Sequence, residues 1–459
     1  MTGPTFVADP GAGALNAPPP SLGAWPTSGP YPGHPPLVQA PPGYAPAPPY
    51  AHAYPVFAAP HDPSRTRLWF SGQPGEFVRL LVRGALLSLV TFGFYRFWLI
   101  TDMRRHLWAN TRIGEEGLEY TGTARELLVG FLVALAVLAP LYVGYFIVVT
   151  FAETFAMFAG FALTPLLYVF GQYAGYRARR YRATRTLFRG VRFWMGGSAW
   201  AYAARAALWD LATLLSLGLA YPWRVAALER YKMRNTHFGD LGGDFVARGG
   251  TFFRRGWWMW LLTVALPVVL FVIVALVSAR GGEQDAAASL GAGLGAALVL
   301  TFGLGPFLFP LFLATRIRWQ IEGVRFGPVG IANNLPRGEV FLAYLKLVAA
   351  SAGLSMAFGL VVAAVAGALA VSGVKLDEAF GDMGPRVILG LGLTALSYLA
   401  FLQGTGVLKR YFIDRGLWLL VAFTSSADHL DATDHVRGGA APASSVGEGL
   451  ADALDVGAF

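Results

Sequence analysis

Asp210 is the residue of this chain that most invites chemistry. It stands in the apolar run 205–223, whose other charged residue is Arg205, five positions earlier. A charge at the centre of a bilayer costs on the order of 2.5–3.5 kcal/mol, so such a carboxylate needs a cation or a water-filled cavity. In a cavity it would hold an ion or relay a proton; in a dry core it would be half of a structural ion pair. A second set of polar residues is doubled. "RRHLWANTRIG" from Arg104 and "ERYKMRNTHFG" from Glu229 each carry Asn-Thr-x-x-Gly, which places Asn110 and Thr111 beside Asn235 and Thr236 as candidate substrate or ion ligands. The alternative role is structural. Asn and Thr can close a helix by bonding its own backbone, and Gly114 and Gly239 then supply the left-handed turn into a strand. A third set, Arg96, Arg104, Arg105, Arg179 and Arg180, offers fixed charges for the phosphates of anionic lipids.

Catalysis has no comparable signal. There is no cysteine, and H-E-x-x-H, G-x-S-x-G and Walker A patterns are missing, while the seven histidines are scattered. No catalytic residue, metal or cofactor is therefore expected, and the chain does not read as an enzyme.

The elements that must position these residues are hydrophobic. The chain of 459 residues is 55% hydrophobic and 14% charged, more apolar surface than a soluble domain of this size buries. Eight apolar segments are visible, roughly 78–100, 127–150, 154–176, 205–223, 257–279, 291–315, 346–372 and 386–408. Six are clean and pair into three hairpins of membrane-crossing length. Five intervening arms carry 29 of the 36 Lys and Arg residues. The positive-inside rule puts all five in the cytoplasm, with both termini. Their spread over membrane-flanking arms argues against nucleic acid as a partner. Common sidedness forbids 78–100 and 205–223 from each crossing once, so both are expected to be re-entrant or interfacial; eight conventional spans are the alternative.

The first 64 residues hold 18 of the 29 prolines and no Lys or Arg. They lack the basic and apolar regions of a signal peptide and read as an extended, disordered tether, with a PxxP-type docking role for a protein partner as the functional alternative. Residues 424–459, rich in Gly, Ala, Ser and Asp, read as a disordered acidic tail.

An offset of 125 places Trp98 on Trp223, Asn110 on Asn235, Thr111 on Thr236 and Gly114 on Gly239 without a gap, so a tandem repeat is expected. "GLEYTG", "GVRFWMG", "GGDFVARG" and "GVRFGPVG" each follow a basic arm and alternate as short strands do, with a degenerate fifth copy from Lys409. The expected fold is thus an α-helical multi-pass integral membrane protein of three hairpins and two short segments, over a small cytoplasmic β-rich layer. Its expected divisions are 1–65 (tail), 66–185 and 186–315 (two repeats), 316–423 (a third hairpin with its arm) and 424–459 (tail).

"FSGQPGEF", followed by "LLSLVTFGFYRFWLITDMRRHLWANTRIGEEGLEYTGTARELLVG", resembles the YjgN family of bacterial inner-membrane proteins, with its F-x-G start, T-x-G-x-Y-x-F-W element, N-T-x-x-G arm and Y-x-G-T element. The resemblance covers roughly 66–423 and implies a multi-pass protein of the bacterial inner membrane. It supplies no activity. The duplication, the two interrupted segments and Asp210 favour a repeat-built transporter or channel-like protein for a small solute. The alternative is a non-transporting membrane scaffold that contacts the bilayer, its anionic lipids and a partner through the basic arms and the Pro-rich tail.

Overall fold

The computed structural model describes residues 65–280, 283–371 and 385–438. The expectations for the Pro-rich tail and for the chain beyond 438 lie outside these residues.

Ten short strands organise the molecule: β1 (Arg65–Phe70), β2 (Thr111–Ile113), β3 (Glu116–Tyr120), β4 (Thr186–Phe188), β5 (Val191–Met195), β6 (Thr236–Phe238), β7 (Leu241–Phe245), β8 (Val324–Phe326), β9 (Val329–Asn333) and β10 (Ser425–Asp428). Each pairs antiparallel with its neighbours in chain order, and β1 pairs with both β2 and β10, so the sheet closes into a barrel. This overturns the expected fold class, an α-helical protein with only a small β layer. Strands of three to six residues carry too little alternation to announce a barrel, and pairs such as Leu118 with Phe188 join across a whole helical hairpin. Closure also leaves no unpaired sheet edge.

The alternation that is present fixes which face turns inward. In β5, Val191, Phe193 and Met195 share one face and Arg192 and Trp194 the other. Phe193 meets Phe326 of the non-neighbouring β8 with ring centroids 5.7 Å apart, and Phe188 of β4 meets Phe238 of β6 at 6.1 Å. Contacts between strands that are not adjacent run through the interior, so these four aromatic rings point into the barrel.

Ten helices connect the strands: α1 (Pro74–Val90), α2 (Arg96–Ala109), α3 (Ala124–Phe151), α4 (Glu153–Thr184), α5 (Ala199–Leu215), α6 (Tyr221–Arg234), α7 (Gly249–Ser278), α8 (Glu283–Gly323), α9 (Arg337–Val371) and α10 (385–424), with π turns inside α7 and α10. They form five hairpins, each leaving and rejoining the barrel. Successive hairpins pack on one another and α10 packs on α1, which closes a helical ring. The same junction occurs five times. The carbonyls of Asn110, Arg185, Asn235, Gly323 and Thr424, where the inbound helices end, accept the amides of Ser71, Thr121, Gly196, Val246 and Asn334 at 2.8 to 2.9 Å. Left-handed backbone follows at Gly114, Arg189, Gly239, Gly327 and His429.

The segments 78–100 and 205–223 are not single elements. Each contains a tight turn, with positive φ at Phe92 and Gly93 and at Leu217 and Gly218, that folds the chain back to the barrel. Thr91 and Ser216 each accept an amide four residues on, from Tyr95 and Ala220, and so start the returning helix. The other hairpins are long. Five helices, Ala124–Phe151, Gly249–Ser278, Ala288–Gly323, Arg337–Val371 and Val387–Thr424, are long and apolar enough to cross a membrane, and at most 11% of their most apolar windows is buried within the protein. Such a surface is stable in lipid and costly in water.

Residues 424–438, assigned from sequence to a disordered tail, are instead structural. β10 completes the barrel, and the short 3-10 helix Leu430–His435 follows it to Arg189, which donates to Thr433 at 2.7 Å and pairs with Asp434. The Arg437 amide then donates to Asp240 at 3.1 Å.

Candidate functional site

The basic residues of the arms are spread along α2, α4, α6, α8 and α10 and into the strands and helices that follow; those in the last turns of α4 (Arg182) and α6 (Lys232 and Arg234) complement the partial negative charge at a helix C-terminus. Several are committed to the backbone. Arg105 donates to the Gly122 carbonyl at 3.0 Å, Arg180 to those of Met195 and Gly197 at 2.6 and 3.0 Å, and Arg230 to that of Phe245 at 3.3 Å. Arg104 is buried and donates to the Tyr120 hydroxyl at 3.4 Å. Arg96 lies 4.8 and 4.9 Å from the ring centres of Phe97 and Phe131.

The two Asn-Thr pairs do not share a site. Asn110 Nδ2 donates to the His106 carbonyl at 2.8 Å and Thr111 to that of Leu107 at 2.7 Å; Asn235 and Thr236 repeat this towards Tyr231 and Lys232 at 2.7 and 2.9 Å. Each pair ends its own helix, with three strands between β2 and β6. Gly114 and Gly239 turn the chain at φ +64° and +56°.

Asp210 and Arg205 also part company. Arg205 lies over the Tyr231 ring at 4.4 Å, whereas Asp210 pairs with Arg224 of α6 at 2.5 Å and accepts the Tyr168 hydroxyl of α4. Arg224 lies 5.9 Å from the Tyr221 ring centre, and the Tyr221 hydroxyl accepts Arg316 of α8 at 3.1 Å. Two turns along α6, Glu229 is buried. It receives Lys232 at 2.5 Å, Arg179 of α4 at 3.2 Å and Gln320 of α8 at 3.0 Å. The result is a polar spine across α4, α5, α6 and α8, in which Asp210 and Glu229 face Arg179, Arg224, Lys232 and Arg316. Burial alone would raise the Glu229 carboxyl, but Lys232, Arg179 and Arg316 outweigh it and hold it down at about 2. Burial, with Arg179 and Arg316, pushes the Lys232 ammonium below its usual range against the pull of Glu229.

On the other side of Tyr221 opens a cleft of about 460 Å³ between the α5–α6 turn, α7 and α8. Phe252, Trp257, Trp260, Phe309 and Phe312 line it with Tyr221, and it contains no ionisable side chain except that tyrosine. No group of three or more potential metal-ligating side chains occurs among the described residues.

The sequence profile of a family described as "Bacterial protein of unknown function (DUF898)" matches residues 65–304, more than half of the chain. The chain belongs to the DUF898 family. It is also 25% identical over 126 residues to the inner membrane protein YjgN of Salmonella typhimurium (strain LT2), an alignment that takes in 28% of this chain and 30% of that protein. The YjgN resemblance drawn from the motifs is thereby supported. No solved structure matches.

In this DUF898 protein the family match ends inside α8, ahead of Arg316 and Gln320, so the spine draws partners from beyond the matched region. Sequence reasoning singled out Asp210 and Arg179 and missed Arg224, Glu229, Lys232, Arg316 and Gln320. Glu229 and Lys232 were recoverable, as an acid and a base three apart inside the repeated stretch. Arg316 and Gln320 gave no signal, because contact with α6 joins residues some 90 positions apart.

Proposed function

We propose that this is an inner-membrane protein that binds lipid, holding an acyl chain in the cleft beside Tyr221. The observation that carries this is the cleft itself: aromatic, free of fixed charge, and placed between two helices of membrane-crossing length. The inner-membrane name of the Salmonella relative and the apolar surface of the long helices agree with it. Gly305 lines the cleft, and a Cβ added there meets nothing within 4 Å, so Gly305→Phe places a ring at the cleft from an unobstructed position. Native mass spectrometry of the purified protein in mild detergent should then show one fewer retained lipid. An unchanged lipid count would remove the reading.

A second reading, transport of a small solute or proton, is favoured by the charged spine. Metabolite and lipid profiles of a deletion strain complemented with Asp210→Asn test it; full rescue excludes proton coupling through Asp210. We further propose that the basic arms face the cytoplasm, as the positive-inside rule requires. Cysteines placed in 104–112 and 179–185 should react alike with an impermeant reagent, and opposite reactivity would refute common sidedness.

A further inference from the structure

A second cavity, of about 420 Å³, lies between α7, α8 and the start of α9. Three arginines line it, Arg255, Arg318 and Arg337, together with Thr315 and Pro336. Glu322 is shared by Arg255 and Arg318 at 2.7 and 2.8 Å, and Arg337 donates to the Arg255 carbonyl at 3.3 Å. One carboxylate thus faces three guanidinium groups. Even with Glu339, in the first turn of α9, the cations are in excess. The Arg255 and Arg318 side chains are 40% and 41% exposed, so both forks stay within reach of a ligand. Arg337 opens a helix of 35 residues, whose first amides have no acceptor within the helix.

The surroundings narrow the ligand. α7, α8 and α9 all have membrane-crossing length, and the cavity sits where they meet the barrel, with Arg318 close before β8 and Arg337 close after β9. That is the level of lipid headgroups for helices that cross a bilayer. Planar guanidinium forks match a phosphate better than a lone ammonium does, and Leu335, Pro336 and Ala314 give the same cavity an apolar wall.

We propose that this cavity binds the phosphate group of an anionic phospholipid. The placement at headgroup level rests on the lipid-binding reading above, while the ligand chemistry rests on the arginines. Free phosphate shares that chemistry, and the test separates the two sources.

The full chain is purified in mild detergent and offered phosphatidylglycerol or diacylglycerol with the same acyl chains, with retention read by native mass spectrometry. Wild type should prefer phosphatidylglycerol by about tenfold or more, since its phosphate accepts charge-assisted bonds from the arginines that a diacylglycerol hydroxyl does not match. The Arg318→Gln/Arg337→Gln pair should bring the ratio close to one, and lysine at both positions should restore part of it. An unchanged ratio in the glutamine pair overturns the proposal. Should the pair fail to fold, Arg337→Gln alone serves, because Arg337 donates to a backbone carbonyl and not to a carboxylate. Inorganic phosphate is the second arm. A thermal shift with phosphate that is lost in the glutamine pair, while the lipid ratio stays fixed, assigns the site to free phosphate and likewise overturns the lipid proposal. Gly305→Phe keeps the two readings apart: failure of the acyl-chain reading shows as an unchanged lipid count, failure of the headgroup site as an unchanged ratio.

Discussion

The short hairpins α1–α2 and α5–α6 have the same lengths, 17 and 14 residues, and the same glycine turn, but opposite interiors. At the offset of 125, Ala85, Leu99, Arg104 and Leu107 stand where the second hairpin has Asp210, Arg224, Glu229 and Lys232. Leu99 and Leu107 are buried with Phe77, Leu81 and Met103 in an apolar cluster. Their counterparts form the polar spine. Arg104, at the place of Glu229, is itself buried, so the fold is attainable without the acid–base network but not without any charge there; replacing buried ion pairs by packed apolar groups is often neutral or stabilising. The charges of the second hairpin thus point to what it does more than to how it folds.

The strongest way to break this contrast is to remove one spine partner. Glu229→Ala leaves Lys232, Arg179 and Gln320 facing a gap and should cost about 3–5 kcal/mol, read as a lowered melting temperature in detergent. A loss below about 1 kcal/mol would mean that the spine is well hydrated and the contrast overstated. Acid supplies the next test. The Glu229 carboxyl titrates near 2 in the folded protein against an ordinary 4.5, so its stabilisation is present above pH 4.5 and is lost as pH falls towards 2. The limb should amount to on the order of 3 kcal/mol and should flatten in Glu229→Gln, followed by pH-dependent denaturant unfolding.

Smaller effects sharpen the comparison at the barrel. Gly114→Ala and Gly239→Ala both place a side chain at positive φ, worth about 1 kcal/mol each. At Gly239 the new Cβ would also lie 2.5 Å from the Arg437 carbonyl oxygen, whereas at Gly114 the nearest atom is a Thr66 methyl at 3.1 Å. Gly239→Ala should therefore be the more destabilising of the two, and truncation after Asp428 should bring them together. Smallest of all, Asn235→Ala removes one side-chain bond to a helix carbonyl, whereas Asn110→Ala removes that bond and the one its Oδ1 accepts from the Ser71 hydroxyl at 3.2 Å. Each should cost about 1 kcal/mol in the same melting assay, with Asn110→Ala the larger; a larger loss at Asn235 would show that Asn235 has a second role.

The long helices and the ends of the arms were legible because their causes are local. Apolar runs of about twenty residues and the glycines that end the arms act within a few residues of themselves, so Asn110, Thr111, Asn235 and Thr236 could be read from sequence as helix ends as readily as ligands; the turns at Gly93 and Gly218, inside segments read as single, were not. The candidate site was legible only in pieces. Asp210 stood out as a charge in an apolar run, but its partner proved to be Arg224, on the next helix, and not Arg205 on its own. Arg179 looked like a lipid-facing charge and proved to hold Glu229.

By itself, then, the sequence determined the long apolar helices, the clustering of basic residues in the arms between them and the membership of a family. Only the tertiary structure decided that ten strands close into one barrel, that residues 425–428 complete it, and that four helices bring their charges into one spine. The physical reason is range. Hydrophobic periodicity and turn chemistry are fixed by neighbours in the chain, whereas strand closure and charge pairing depend on residues tens to hundreds of positions apart, whose meeting no local pattern encodes.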